Sequence, residues 1–298
     1  MARSREPDAA SAMLPVMAER PGITIVGAGN LASALAPALH RAGYEIDGIV
    51  TRSGVASKAR AKALARAVNS AVISPAQVKS RIVWLCVPDG EIARAARTLA
   101  AAIEWNGRVA LHSSGALSSH ELAVLQRRGA AAGSVHPLMT FVHGSRPSLA
   151  GVPFAVEGDA RAARTARAIV RKLRGQAFSI GRREKVAYHA WGMFASPLLT
   201  VLLAVTERVA GAAGVSARAA RQRMLPILAQ TMTNYAALGA PGTLSGPIAR
   251  GDVDTVKKHL QVLAQVPAAR EVYVALARAS LCYLPAKNRT ALERLLKG

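Results

Sequence analysis

The sequence is short of acid. It sets 17 aspartates and glutamates against 39 lysines and arginines, a formal net charge of +22. Aromatic residues are also scarce, at 4 %. The charge alone would suit a nucleic-acid partner, but base stacking needs aromatic platforms set among the cations, and these are missing. Much of the excess is arginine spread along alanine-rich stretches, as at Arg161, Arg164, Arg167, Arg171 and Arg174. That pattern reads as a solvated helix face, so nucleic acid is not the expected partner. Cysteine is nearly absent. Cys86 and Cys282 lie far apart and form no metal-ligand spacing, so no metal and no disulfide framework are expected, and a reduced, cytoplasmic setting fits best. No uninterrupted apolar run approaches the ~20 residues that cross a bilayer. The richest stretch, Trp191 to Val205, contains Gly192 and Pro197 and reads as a buried helix, so no membrane partner is expected. Residues 1–20 lack the layout of a signal peptide and read as a loose tail, with Met13 or Met17 as possible starts.

What is present is enough apolar material for two cored domains: 51 % hydrophobic residues, mean hydropathy +0.21 and 298 residues. The chain is organised around Ile23-Thr24-Ile25-Val26-Gly27-Ala28-Gly29-Asn30-Leu31-Ala32. Strand formers run into Gly-x-Gly-x-x-Ala and then into a helical apolar pattern, which is the context of a dinucleotide site. Gly27 permits the sharp turn, Gly29 keeps a Cβ away from a pyrophosphate, and Ala32 lets helix pack closely on strand. The helix starting at Asn30 and Leu31 presents its free N–H groups and positive dipole end to phosphate.

A second strand, Tyr44 to Val50, ends in Thr51-Arg52-Ser53. An acid at this tip accepts hydrogen bonds from the adenine ribose of NAD, whereas arginine accommodates the 2′-phosphate of NADP. Asp47 falls inside the strand and Arg52 at its tip, flanked by the hydroxyls of Thr51 and Ser53, so NADP(H) is the expected cofactor.

Further strands follow in α/β alternation. Arg81 to Val87 is a near-continuous apolar run, the mark of a parallel strand covered on both faces. It stops at Pro88-Asp89, where Asp89 is placed to cap a helix from Glu91 to Ala102. Val87, Pro88 and Asp89 should line the crevice beyond the strand ends, with Cys86 a buried strand residue. Arg108 to Leu111 ends in His112-Ser113-Ser114-Gly115, either a holder for a substrate carboxylate or carbonyl or an unliganded Ser/Gly turn. A helix is expected over Leu122 to Arg128. Ala131 to Val135 ends in His136-Pro137, a second strand-end histidine on the same rim. Pro153 to Val156, a helix from Ala160 to Arg174 and Gln176 to Ile180 complete this part, and Gly181 marks its end.

From Glu184 onward the sequence reads as helices only: Glu184 to Ala210 bent at Pro197, a helix capped by Ser216 reaching Ala237, a loop from Gly239 to Gly251, a helix capped by Asp252 reaching Leu263, then Ala268 to Leu281 and Thr290 to Leu296. Lys185, His189 and Ser196 share one face of the first of these. A lysine and a histidine one turn apart facing a nicotinamide could polarise a carbonyl and supply a proton. Equally, Lys185 could be solvated and His189 a satisfied core histidine.

Taken together and in order, Gly27-Ala28-Gly29-Asn30-Leu31-Ala32, Val87-Pro88-Asp89, His112-Ser113-Ser114-Gly115, His136-Pro137-Leu138, Lys185-x-x-Tyr188-His189-Ala190 and Gly246-Pro247-Ile248-x-Arg250-Gly251-Asp252 resemble the predicted oxidoreductases that join a Rossmann-like domain to the domain of unknown function 2520. That family looks like a relative of pyrroline-5-carboxylate reductase and the β-hydroxyacid dehydrogenases. In the latter, a catalytic lysine is followed four residues later by asparagine; Lys185 matches the lysine, and His189 stands where the family has asparagine. The resemblance implies a Rossmann-type doubly wound α/β domain over 21–181 and an all-α substrate and dimerisation domain over 182–298. It implies hydride transfer between NADPH and a small carbonyl or imine acid, such as the 2-oxo acid ketopantoate, by a homodimer. Lys185, His189 and Ser113 are then the expected catalytic residues. Gly27, Gly29, Asn30, Leu31, Thr51, Arg52, Ser53, Val87, Pro88 and Asp89 are expected at the cofactor, and Ser114, His136 and Arg250 at the substrate. The rival expectation is an NADP(H)-binding sensor without catalysis that holds a partner through its helical domain.

Overall fold

The computed structural model describes residues 22–297, and the expected tail over 1–20 lies outside them. Eight strands form one sheet: β1 Gly22–Val26, β2 Glu45–Val50, β3 Val72–Ile73, β4 Ile82–Leu85, β5 Val109–His112, β6 Ala131–Pro137, β7 Pro153–Gly158 and β8 Gln176–Ser179, in the order β3-β2-β1-β4-β5-β6-β7-β8. Every neighbouring pair is parallel except β6 and β7. The helices α1 Asn30–Arg41, α2 Val55–Ala67, α3 Asp89–Ala102, the short α4 Ala123–Gln126 and α5 Ala160–Lys172 alternate with the strands. This is the expected Rossmann-type architecture. Two apolar layers explain the buried strands: Ile23, Ile25, Trp84 and Leu111 point into one, and Val26, Val83, Leu85 and Ala110 into the other. β1 lies between β2 and β4, so the chain reverses its direction of travel across the sheet there, and a crevice opens beyond the carboxyl ends of these strands.

The far end of the β6–β7 pairing, where Gly133 faces Gly158, depends on Gly158. Its φ is +131°, and a Cβ there would lie 2.4 Å from the Ala132 carbonyl oxygen. Asp159 then returns a bond to the same strand, its Oδ2 accepting from the Ala132 N–H at 2.8 Å.

Two local expectations change. α3 begins at Asp89 with Pro88 in the capping position, and no side chain caps it, because the Asp89 carboxylate is turned to Ser114 instead. The helix expected over 122–128 is a 3-10 turn, Ser119–Leu122, running into α4, because Ser118 caps the segment earlier by accepting from the His120 N–H.

Two compact units divide between Gly192 and Met193, later than Gly181. The reason is that α6, Lys185–Met193, buries Lys185 and Tyr188 within the sheet-containing unit. Among the described residues the second unit is wholly helical. After a π-helical turn, Phe194–Leu198, come α7 Leu199–Ala212, α8 Ala217–Thr243, α9 Pro247–Arg250, α10 Val253–Leu263, α11 Ala269–Tyr283 and α12 Arg289–Lys297. Ser216 accepts from the Ala219 N–H and Asp252 from the Thr255 N–H, as expected of caps. α8 outruns Ala237 because Gly239, at φ 67° and ψ 178°, kinks the chain and lets the helix resume to Thr243. Val256, Leu260, Leu281, Leu292 and Leu296 form this unit's core.

The stretch from Trp191 to Val205 corrects the reading of a buried, interrupted helix. Pro197 is absorbed by the π-helical turn, so helix runs through Lys185–Ala212, 28 residues with a mean hydropathy of 1.5 in its most apolar window. By length and composition it could cross a membrane, and none of that window is buried. Phe194 is 73 % exposed, and α8 adds Leu225, Ile227 and Leu238 as exposed apolar residues.

Candidate active site

Beyond β1, β2 and β4 lies a cavity of about 440 Å³ lined by Gly27 to Gly29, Val50 to Ser53, Val87 and Pro88. Gly27 has a φ of +105°, and a Cβ on it would lie 2.4 Å from the Cys86 carbonyl oxygen, so the turn admits only glycine. Gly29 stands at the start of α1, where no side chain caps the helix, and open space surrounds the place its Cβ would occupy. The first turn of α1 therefore has no side-chain cap at the cavity, and a phosphate there could accept from its N–H groups. Arg52 is exposed, and its Nε donates to the Ser57 hydroxyl at 3.2 Å. Ser57 and Arg60 of α2 line the same cavity, as do Glu91 and Arg94 of α3, which form an ion pair. The sequence reading passed over Ser57 and Arg60, although their i, i+3 spacing just after Arg52 could have placed them on one face.

The other expected cofactor residues have varied surroundings. Asn30 donates through Nδ2 to the Phe141 carbonyl at 3.1 Å, and Leu31 leans on the core. Asp89 accepts from the Ser114 hydroxyl at 2.8 Å.

A second cluster forms where β5, β6 and α6 meet, and Ser114 is its hub. The Ser114 N–H donates to His112 Nδ1 at 3.1 Å, and its hydroxyl accepts from the Leu117 N–H at 2.8 Å. Its carbonyl accepts from Lys185 Nζ at 3.0 Å and from the Ser134 hydroxyl at 3.1 Å. Lys185 Nζ also donates to Ser134 Oγ at 2.7 Å, and the lysine is 0 % exposed. Ser113 accepts from the Trp84 indole N–H at 2.8 Å. The next residue, Gly115, touches two imidazoles: a Cβ there would come within 2.7 Å of His189 Cδ2 and 2.9 Å of His136 Nε2. His136 Nδ1 lies 2.7 Å from the Tyr188 hydroxyl, and His189 meets the His136 ring edge-on at 6.2 Å. The structure thus brings Ser113, Ser114, His136, Lys185 and His189 together, and adds Tyr188, Ser134, Glu157 and Asp89. Tyr188 was visible in the motif on α6, where the lysine and histidine on either side drew the chemistry. Arg250 belongs to the helical unit, exposed at the end of α9.

Burial governs the electrostatics. It pushes His112 and His136 down to about 4, with the Lys185 charge pressing both the same way. Since His112 Nδ1 accepts from Ser114, its proton sits on Nε2 and is donated to the Ser118 carbonyl at 2.9 Å. Burial also lowers Lys185 to about 8, while Glu157 and Asp89 pull it back up. Glu157 is itself fully engaged, accepting from the Ser119 N–H at 2.7 Å, the Ser119 hydroxyl at 2.8 Å and Arg182 at 3.4 Å. Tyr188 is raised to about 12 by burial. The site offers two neutral imidazoles, a protonated phenol and one enclosed cation.

Residues 5–137 match the Rossmann-like domain, and residues 152–280 match the domain of unknown function DUF2520. No curated protein sequence matches the chain. Among solved structures, the chain is similar to a candidate NADP oxidoreductase from Bacteroides fragilis, at 22 % identity and a TM-score of 0.74 over 88 % of this chain and 98 % of that one. It is similar to an imine reductase from a Pseudomonas species, at 18 % identity and a TM-score of 0.61 over 89 % and 94 %. It is also similar to a reductive aminase from Aspergillus terreus solved with NADPH and ethyl-5-oxohexanoate, at 16 % identity and a TM-score of 0.63 over 93 % and 99 %. At these identities the likeness is one of fold.

Proposed function

From a chain that joins a Rossmann-like domain to a DUF2520 domain, as the expected family does, we propose an NADPH-dependent reductase of small carbonyl or imine acids that works as a homodimer. The observation that carries the reading is the cavity at the Gly27–Gly29 turn, with its uncapped helix and its Arg52, Ser57 and Arg60 rim. The fit is specific. Gly29 leaves open the space a pyrophosphate needs, and Arg52 with Arg60 supplies cations where a 2′-phosphate would sit. The neighbours of like fold include an enzyme solved with NADPH, which supports the same choice.

When bound, NADPH would supply a hydride. The protein's part is to orient the acceptor and to manage a proton. Tyr188 Oη and His136 Nδ1 share a proton across 2.7 Å, and the other side of the His136 ring packs against Gly115. Because His136 is neutral and Tyr188 protonated near pH 7, the pair can offer a substrate heteroatom a hydrogen bond without carrying a charge. His189, half-buried against His136, packs over Gly115 as well. Ser113 ties the strand end to Trp84 through its oxygen and hydrogen-bonds the Cys86 side chain.

The test is calorimetric titration with NADPH and NADH, followed by a turnover screen of 2-oxo acids and cyclic imines. NADPH should bind the more tightly, and Arg52→Ala should narrow the gap by roughly ten- to a hundredfold, the scale of one charge-assisted contact. Equal affinity for the two cofactors would overturn the cofactor choice.

A further inference from the structure

We infer that Lys185 is a positioning residue: its enclosed ammonium pins the Ser114 carbonyl to Ser134 and so holds Gly115 against the imidazoles of His136 and His189. The inference rests on the reductase reading for the identity of the reaction, but its geometry stands by itself. Lys185 Nζ, Ser134 Oγ and the Ser114 carbonyl oxygen are mutually bonded, at 2.7, 3.0 and 3.1 Å. Lys185 has no exposed surface and its ammonium already has two protein acceptors, so its first task is to satisfy buried oxygens. Ser114 is held at every polar atom, since its N–H and hydroxyl are taken by His112, Asp89 and Leu117. The following residue has no side chain and packs against both the His136 and the His189 ring. A shift of the Ser114 carbonyl therefore becomes a shift of the wall beside His136.

The charge of Lys185 has a second effect through space. The ionisable groups around it are Glu157 on β7, Asp89 on α3, His112 on β5 and His136 on β6, with Arg182 paired to Glu157. His136 in turn faces Lys185, His112, His189 and Tyr188. Removing the lysine takes away a cation that opposes protonation of both inner histidines.

Three variants separate positioning from proton donation. Lys185→Met removes the charge and its two bonds but leaves the Ser134–Ser114 bond. Ser134→Ala removes both bonds of its hydroxyl, leaves the Lys185–Ser114 bond and keeps the charge. Lys185→Arg keeps the charge on an altered donor. Histidine ring titration by NMR on the protein without cofactor gives a readout independent of turnover. The His136 midpoint should rise in Lys185→Met and stay low in Lys185→Arg and Ser134→Ala. Once a substrate is in hand, Lys185→Met and Ser134→Ala should each lower kcat/KM by roughly 10- to 100-fold, the cost of a small misplacement, with NADPH affinity unchanged. Turnover in Ser134→Ala equal to wild type, together with an alkaline limb near pH 8 that vanishes in Lys185→Met, would make the lysine the proton donor and overturn the inference. An unmoved His136 midpoint in Lys185→Met would overturn it as well. Failure of the wild type to bind NADPH would count against the reductase reading alone, because the ring titration requires no cofactor.

Discussion

His112 and His136 show how a site short of acid manages its protons. Both imidazoles are held near 4 by burial, far below the ordinary histidine value of about 6.5. Between those two values the unfolded chain binds protons that the native state refuses, so stability falls as pH drops from about 6.5 toward 4 and changes little above 7 from this source. For fully buried His112 the loss reaches about 3 kcal/mol at the acid end. Thermal melts between pH 7 and pH 4.5 should therefore show a falling Tm. His112→Gln, which cannot take up a proton, should show a shallower fall, and parallel curves would refute the assignment. Much of this cluster was legible in the sequence. His112, Ser113, Ser114 and His136 sit at strand ends, and those ends converge in any doubly wound sheet. What could not be read was the pairing. Glu157 and Asp89 reach the cluster across about 40 and 25 residues of intervening chain, to Ser119 and Ser114, and only the strand register brings them near.

Among the elements, the strands were the most legible, because near-continuous apolar runs have one reading when helices alternate with them. Helix starts were less so. Asp89 has the chemistry of a cap, yet Ser114 offers its carboxylate a better partner from another element. The π-helical turn around Pro197 was hidden because the residue that should stop an α-helix is tolerated once the hydrogen-bond pattern widens. Glycines give a test at this scale. Gly158→Ala should destabilise by more than the 1–3 kcal/mol typical of a strained backbone, since its Cβ also meets the Ala132 carbonyl. Gly144→Ala, at φ +77° but with open space around its Cβ, should cost no more than that backbone term. Urea unfolding midpoints compare the two, and equal losses would show that the β6–β7 contact does not matter.

At the scale of the whole molecule, the exposed apolar residues on α7 and α8 call for a partner surface. Val201 on α7 and Leu225, Ile227 and Leu238 on α8 are each more than half exposed, and a two-fold pairing of these helices with a second copy would cover them. Light scattering at micromolar concentration should give twice 31.1 kDa, about 62 kDa. Ile227→Glu should shift the mass toward the monomer, and a monomeric wild type would remove the homodimer from the proposal. The excess of apolar side chains after Gly181, most of all from Trp191 to Val205, was legible in the sequence, but an apolar helix reads the same whether its own chain or a second copy buries it. The position of the unit boundary was hidden for a related reason: Gly181 is the natural break in sequence, but Lys185 and Tyr188 find their partners on the sheet.

Cys86 lines the nucleotide cavity, yet burial pushes its thiol up to about 12. At neutral pH only roughly one such thiol in 10⁵ is ionised, and ionisation is what peroxide attack requires. Sulfenic acid should therefore form first at exposed Cys282, in the helical unit. A reductase of the kind proposed above would then keep its binding pocket intact through the oxidative episodes in which reducing equivalents run short.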